Sequence, residues 1–273
     1  MELSKIRTIH LSEMKTRGEK IVMVTAYDFP TARLADRAGV DVVLAGDSLG
    51  SVVLGLRNTI GVTLDQMIYY CSAVSRGVER ALVVADMPFM SYKISAEQAL
   101  TNAARLMQEG GAEAVKFEGG EEIAPIAARV VAAGIPVMGH VGFTPQSLHQ
   151  LGGYRVQGRS PVQVERLMAG ARALADAGVF AVVVELVPAT VARELTRSIP
   201  TPTIGIGAGP HCDGQVLVLH DLLGMNPTPK RFVKVYAQLN RVITKAIRSY
   251  AADVRKGRFP GPRHSFAVKR HKK

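Results

Sequence analysis

Runs of Val, Ile, Leu and Ala without polar alternation recur along this chain, and a strand built from such a run must be buried on both faces. Eight runs bounded by Gly or Pro qualify: 21–28, 40–47, 81–86, 114–118, 136–141, 181–186, 203–207 and 216–220. Most alternate with segments whose apolar residues fall three and four positions apart, the helical period: 30–38, 64–75, 96–109, 123–133, 162–177, 189–198 and 232–254. Eight strands with intervening helices predict a (β/α)8 TIM barrel. Several helices reach an Ala-Gly or Gly-Gly step just before the next strand, at Ala38-Gly39, Gly110-Gly111, Ala133-Gly134 and Ala177-Gly178. Glycine there supplies the left-handed residue that stops a helix. The interval between the seventh and eighth runs is too short for a full helix, which leaves a doubly wound open sheet as the alternative, although no G-x-G-x-x-G opens its first helix. Segments 49–63 and 142–160 are long enough to be lids or binding loops.

A chain of 273 residues suits one large domain of this kind. The expected organisation is an N-terminal helical extension over 1–20, a single barrel domain with a C-terminal helical segment over 21–266, and a basic, disordered tail over 267–273. Hydrophobic residues make up 47%, ample for a core, yet no apolar run approaches the roughly 18 residues of a membrane span. The first twenty residues carry charges throughout and no apolar h-region, so a cytoplasmic location without membrane association is expected. Cys71 and Cys212 show neither metal-ligand spacing nor a disulfide framework and read as small apolar residues.

The net charge of +11 comes largely from the C-terminal part, with Lys230, Arg231, Lys234, Arg241, Lys245 and Arg248 on one segment and Lys269, Arg270, Lys272 and Lys273 at the end. Nucleic-acid binders interleave bases with aromatics, whereas only 5% of this chain is aromatic and none is Trp. A solvated basic face is expected and nucleic acid is not; attraction of a polyanionic ligand stays open.

In a TIM barrel the catalytic groups come from the C-terminal ends of the strands. Asp47, Asp86, Glu118, His140 and Glu185 occupy those ends on the second through sixth runs, and Lys116 lies two residues before Glu118 on the same strand face. Taken singly, Asp47 and Asp86 read as caps of the following helix or turn, and Lys116 with Glu118 as a structural ion pair. Taken together, several carboxylates in one mouth repel unless a cation offsets them. Hard oxygen donors with no Cys and at most one His suit Mg²⁺ better than Zn²⁺. His140 reads equally as a packed histidine or a site residue. The glycines from Gly205 to Gly209 serve either a phosphate cradle or a tight turn.

These residues lie in strings that resemble the ketopantoate hydroxymethyltransferase family. The strings are Thr25-Ala26-Tyr27-Asp28, Gly46-Asp47-Ser48-Leu49-Gly50, Ala85-Asp86-Met87-Pro88-Phe89-Met90, Val115-Lys116-Phe117-Glu118-Gly119-Gly120 and Gly139-His140-Val141-Gly142-Phe143-Thr144-Pro145-Gln146-Ser147. The resemblance continues through Gly152 to Arg159, Glu185 before Val187-Pro188, Ile204 to Gly209, Asp213-Gly214-Gln215 and His264-Ser265-Phe266. Where such sequences commonly read Thr-Leu-Pro-Val-Thr, this chain has Thr59-Ile60-Gly61-Val62-Thr63, which loosens that loop without touching the carboxylates.

The resemblance implies a phosphoenolpyruvate/pyruvate-type (β/α)8 barrel, Mg²⁺, and hydroxymethyl transfer from 5,10-methylenetetrahydrofolate to 3-methyl-2-oxobutanoate through a Mg-stabilised enolate, the first step of pantothenate and coenzyme A synthesis. It implies Asp47, Asp86 and Glu118 as metal ligands, some through water. It implies Asp47, Ser48, Asp86 and Lys116 as substrate-binding residues, with His140 a further candidate, and Glu185 as proton acceptor. It also implies self-association as a homodecamer of paired pentamers. Two other readings compete: a carbon–carbon lyase on the same barrel, which needs no folate, and a nucleic-acid-binding module, whose phosphates the mouth carboxylates would repel.

Overall fold

A computed structural model describes residues 4–267, so the first three residues of the expected N-terminal extension and the expected tail from 268 onward lie outside the described residues. Eight parallel strands pair in sequence order and close on themselves: β1 (Ile21–Thr25), β2 (Val42–Ala45), β3 (Leu82–Asp86), β4 (Ala114–Lys116), β5 (Val137–Gly142), β6 (Ala181–Glu185), β7 (Thr203–Ile206) and β8 (Gly214–Leu217). The pairing of β8 with β1, from Ile21 opposite Gly214 to Val24 opposite Leu217, completes the barrel and excludes the open sheet. Every residue of β2, β3, β4, β6 and β7 is buried, as their unbroken apolar runs require.

The helices are α1 (Thr8–Arg17), α2 (Phe29–Arg37), α3 (Leu49–Val52), α4 (Leu64–Gly77), α5 (Ala96–Gln108), α6 (Ala124–Ala132), α7 (Pro161–Asp176), α8 (Ala189–Ser198), α9 (Leu219–Leu222) and α10 (Leu239–Arg255). Side chains that accept orphan N–H groups start four of them: Asp28 for Thr31, Thr63 for Gln66, Ser95 for Gln98 and Ser160 for Gln163. Each such cap contributes about 1 kcal/mol. Inner faces follow the helical period, as in α5, where Ala99, Ala103 and Leu106 are buried. The four glycines expected to stop helices include Gly39, Gly111, Gly134 and Gly178, all at positive φ.

By its contacts the chain divides into two units, residues 1–219 and 220–273. In the first, the N-terminal segment covers the barrel mouth opposite the strand ends that carry the carboxylates. Lys15 Nζ donates to the carbonyls of Thr196, Ile199 and Thr201 at 3.0 to 3.1 Å and pairs with Asp213 at 3.0 Å. Lys5 reaches the Ala81 carbonyl at 2.8 Å. In the second, α10 is the long element, and Phe259 stacks edge-on against its Tyr250 at 5.5 Å.

Two expected elements move. The eighth strand runs 214–217 instead of 216–220, because it takes its register from β1 and the Leu219 N–H then turns to Thr25 Oγ1. The last long helix begins at Leu239 instead of residue 232. Tyr236 and Leu239 donate their N–H groups to the carbonyls of Leu222 and Leu223, so the segment before α10 bonds to a distant stretch of chain instead of to itself. No helix begins between Gly207 and Asp213, so the glycines there lie in a turn and no helix N-terminus is aimed from it. Cys71 and Cys212 are buried free thiols.

Candidate active site

The parallel register carries six ionisable side chains to one mouth. Asp86 ends β3, Lys116 ends β4 and Glu185 ends β6; Asp47 follows β2 by two residues, Glu118 follows β4 by two, and His140 lies within β5. Asp86 and Lys116 are directly opposed across β3 and β4, so Lys116 Nζ meets Asp86 Oδ1 at 3.0 Å and Glu118 Oε1 only at 3.9 Å. The structural Lys116–Glu118 pair is therefore secondary to one between strands. All six are 1% to 8% exposed, which rules out surface capping as their role. The Asp86 carboxylate does have one structural duty, accepting the Asp47 N–H at 2.9 Å.

Gln146 was part of a matching string but had no role in the sequence analysis, and in the structure it organises the mouth. The loop after β5 drops through a 3₁₀ turn at Pro145–Ser147 and buries the Gln146 side chain. Its Nε2 donates to Asp47 Oδ2 and to the Met87 carbonyl at 2.9 Å each, while its backbone N–H donates to Glu118 Oε2 at 2.9 Å. Tyr92 completes the brace. Its hydroxyl donates to Gln146 Oε1 at 2.8 Å and accepts the Glu118 N–H at 2.9 Å. Ser48 is half-buried beside Asp47 and shares a 2.8 Å hydrogen bond with Tyr27.

Burial dominates the electrostatics, and like charges add to it at Asp47. Burial, and then the nearby Asp86 and Glu118, push Asp47 well above the usual carboxylate range. Burial also raises Glu118, against the pull of Lys116 and His140. Burial alone would lower Lys116, but Asp86, Glu118 and Asp47 more than offset it and keep the ammonium protonated. His140 goes the other way: burial and the Lys116 charge hold it down to about 4, so its imidazole is neutral near pH 7.

Three carboxylates facing one ammonium leave negative charge to be balanced. The donors are hard oxygens, the kind that bind Mg²⁺. Among the described residues no three His, Cys, Asp or Glu side chains close around one point as a finished ligand set. The residues present fit a divalent cation in charge and donor type, with water completing its shell.

Glu185 stands across His140 from Lys116: His140 Nδ1 lies 3.2 Å from Lys116 Nζ, and Nε2 lies 3.3 Å from Glu185 Oε2. The backbone beyond Glu185 is strained, because Leu186 takes φ 48°. Opposite it, Gly142 takes φ 96°, and a Cβ there would overlap the Glu185 carbonyl oxygen. Only glycine lets β5 and β6 run this close where Glu185 projects.

A closed eight-stranded barrel with ionisable groups gathered at the C-terminal strand ends has the layout of a TIM-barrel enzyme. The fold is shared with a phosphonopyruvate hydrolase solved with oxalate and Mg²⁺, at TM-score 0.61 and 14% identity over 95% of this chain and 93% of that one. It is also shared with 2,3-dimethylmalate lyase, at TM-score 0.58 and 17% identity over 94% and 92%. More specifically, the chain belongs to the ketopantoate hydroxymethyltransferase family, whose model matches residues 5–262. It is 55% identical over 268 residues to the 3-methyl-2-oxobutanoate hydroxymethyltransferase of Carboxydothermus hydrogenoformans, covering 97% of each chain. It is 56% identical over 264 residues to that of Moorella thermoacetica, covering 96% of this chain and 98% of the other.

Proposed function

We propose that this enzyme transfers a hydroxymethyl group from 5,10-methylenetetrahydrofolate to 3-methyl-2-oxobutanoate, giving 2-dehydropantoate, the first committed step toward pantothenate and coenzyme A. The observation that carries the reading is the placement of Lys116 and Glu185 on either side of His140 in one buried mouth, in a chain so similar to relatives of that name. The C3 proton of a 2-oxo acid is weakly acidic, and its removal places charge on the keto oxygen.

Lys116 donates to the oxygens of the oxo acid and meets that charge as it grows, in a buried site where a fixed cation counts for more than in water. Ser48, oriented by Tyr27, binds the same acid beside Asp47 and Asp86. Asp47, Asp86 and Glu118 would hold Mg²⁺, in part through water, and its chemistry when bound is Lewis-acid polarisation of the keto oxygen. Glu185 takes the proton from C3, the resulting nucleophilic carbon attacks the methylene carbon of the folate, and a water molecule then supplies the hydroxyl oxygen as the carbon–nitrogen bond breaks and tetrahydrofolate leaves. Gln146 and Tyr92 keep Asp47 and Glu118 from drifting apart under their mutual repulsion.

A homodecamer of paired pentamers and a cytoplasmic location belong to the same proposal. Among the described residues no helix is long and apolar enough to cross a membrane.

The test is to supply tetrahydrofolate, formaldehyde, Mg²⁺ and 3-methyl-2-oxobutanoate and to look for 2-dehydropantoate by mass spectrometry. Product that depends on the folate supports the proposal. Cleavage of a 2-oxo acid without folate, and no hydroxymethylated product, would overturn it in favour of a lyase.

A further inference from the structure

We propose that His140 is a positioning residue for the proton transfer, a neutral hydrogen-bond donor whose Nε2–H holds the Glu185 carboxylate while Lys116 locks its other nitrogen. The proposal rests on Glu185 being the proton acceptor in the reaction above. It begins from an ammonium, which has three donors and no acceptor. Lys116 Nζ lies 3.2 Å from His140 Nδ1, and that contact is attractive only if Nδ1 offers its lone pair. A neutral imidazole with a lone pair on Nδ1 carries its proton on Nε2. The competing arrangement, Nδ1–H donating to Glu118, has to span 3.7 Å with the Lys116 ammonium pressed against the same nitrogen.

Nε2 is buried and lies 3.3 Å from Glu185 Oε2, yet the contact is bent and makes no aligned hydrogen bond. Donor and acceptor thus sit within reach but short of alignment, the condition in which catalytic hydrogen bonds are often found before substrate arrives. The sheet fixes the pair. His140 is opposite Val183 and Gly142 is opposite Glu185, so ring and carboxylate project to the same face from adjacent strands. The Phe143 N–H donates to the Glu185 carbonyl at 2.8 Å and holds the register at its end.

The same geometry denies His140 the role of base. One nitrogen accepts from Lys116 and the other already bears a proton, so the ring has no lone pair left to offer C3 or Glu185. What it can do is donate. Once the two align with the oxo acid bound, a donor on the Glu185 carboxylate favours its ionised form and fixes the direction of its lone pairs.

Two substitutions separate the nitrogens. The amide of Gln reaches about as far as Nε2 and keeps a donor for Glu185, while the amide of Asn reaches only as far as Nδ1 and serves Lys116 alone. Deuterium exchange at C3 of 3-methyl-2-oxobutanoate, followed against pH, reads the base. The expected result is that His140→Gln stays within about tenfold of the unsubstituted protein with its acidic limb in place, whereas His140→Asn loses on the order of 10²-fold and its acidic limb moves up by about one pH unit. Exchange unmoved by His140→Asn, or lost equally in both variants with no shift in either limb, overturns the proposal alone. Exchange absent from the unsubstituted protein overturns the proton-acceptor reading and the proposal with it. Independently of turnover, ¹⁵N spectra of histidine-labelled protein at pH 7 should show His140 as the Nε2–H tautomer. An Nδ1–H tautomer or an imidazolium would overturn the assignment.

Discussion

Gln146 Nε2 and Asp47 Oδ2 are joined at 2.9 Å across 99 positions of sequence, tying the loop after β5 to the end of β2. The same residue holds Glu118 through its backbone N–H, so a neutral amide separates two carboxylates that would otherwise confront each other. Replacing Gln146 with Ala leaves a buried carboxylate oxygen and the Tyr92 hydroxyl without that partner. The expected cost is about 1 to 3 kcal/mol in stability, together with a loss of activity, measured by denaturant unfolding and product formation. Full activity in Gln146→Ala would show the brace to be dispensable.

Glu185→Gln keeps the size and hydrogen-bonding reach of the proposed base while removing its basicity. C3 deuterium exchange should slow by roughly 10² to 10⁴, with oxo acid binding retained. Exchange at the unsubstituted rate would remove Glu185 from the role.

Asp47 supplies a pH test with a definite sign. Because its folded-state pKa lies above that of the unfolded chain, the folded protein retains the proton in a window where the unfolded chain has released it. Stability tied to this group is therefore full at acid pH and is lost as pH rises through the folded value. Asn at 47 cannot ionise and still offers Gln146 an oxygen. Metal-free Asp47→Asn should melt higher than the unsubstituted protein near pH 8, by a margin that shrinks toward pH 5, and should respond less to Mg²⁺. A margin independent of pH would mean that like-charge repulsion is not what Asp47 experiences.

Gly142→Ala places a methyl group against the Glu185 carbonyl at a backbone φ of 96°. β5 and β6 must part for it to fit. The expectation is a destabilisation of at least about 1 kcal/mol together with a fall in C3 exchange, since the strand end that carries the proposed base has moved. Unchanged melting and exchange would show that the strands yield there at little cost.

Much of this architecture was legible beforehand because β-branched runs that tolerate no polar residue have few ways to be buried, and glycines mark where their helices stop. The strand ends carrying Asp47, Asp86, Lys116, Glu118 and Glu185 could be read for the same reason, since charge at the edge of such a run stands out. Cross-strand register could not be read. It is register that gives Lys116 to Asp86 in preference to Glu118, its neighbour in sequence. The brace by Gln146 and Tyr92 was hidden as well, because it depends on the path of an irregular loop with no periodicity to reveal it. Residues 232–238 misled for the opposite reason: their apolar spacing is helical, but the Tyr236 N–H goes to the distant Leu222 carbonyl and that of Val233 closes a local turn on Lys230.

The reactive groups arrive from five consecutive strands, with no more than two contributed by any one, and the cylinder shuts only when residues 214–217 reach β1. A polypeptide still emerging from the ribosome thus carries Asp47, Asp86, Lys116, Glu118, His140 and Glu185 by residue 185 and lacks its closing strand for some thirty residues more. Products cut short of β8 should be inert without any dedicated inhibitor, because nothing then closes the cylinder that gathers these six side chains.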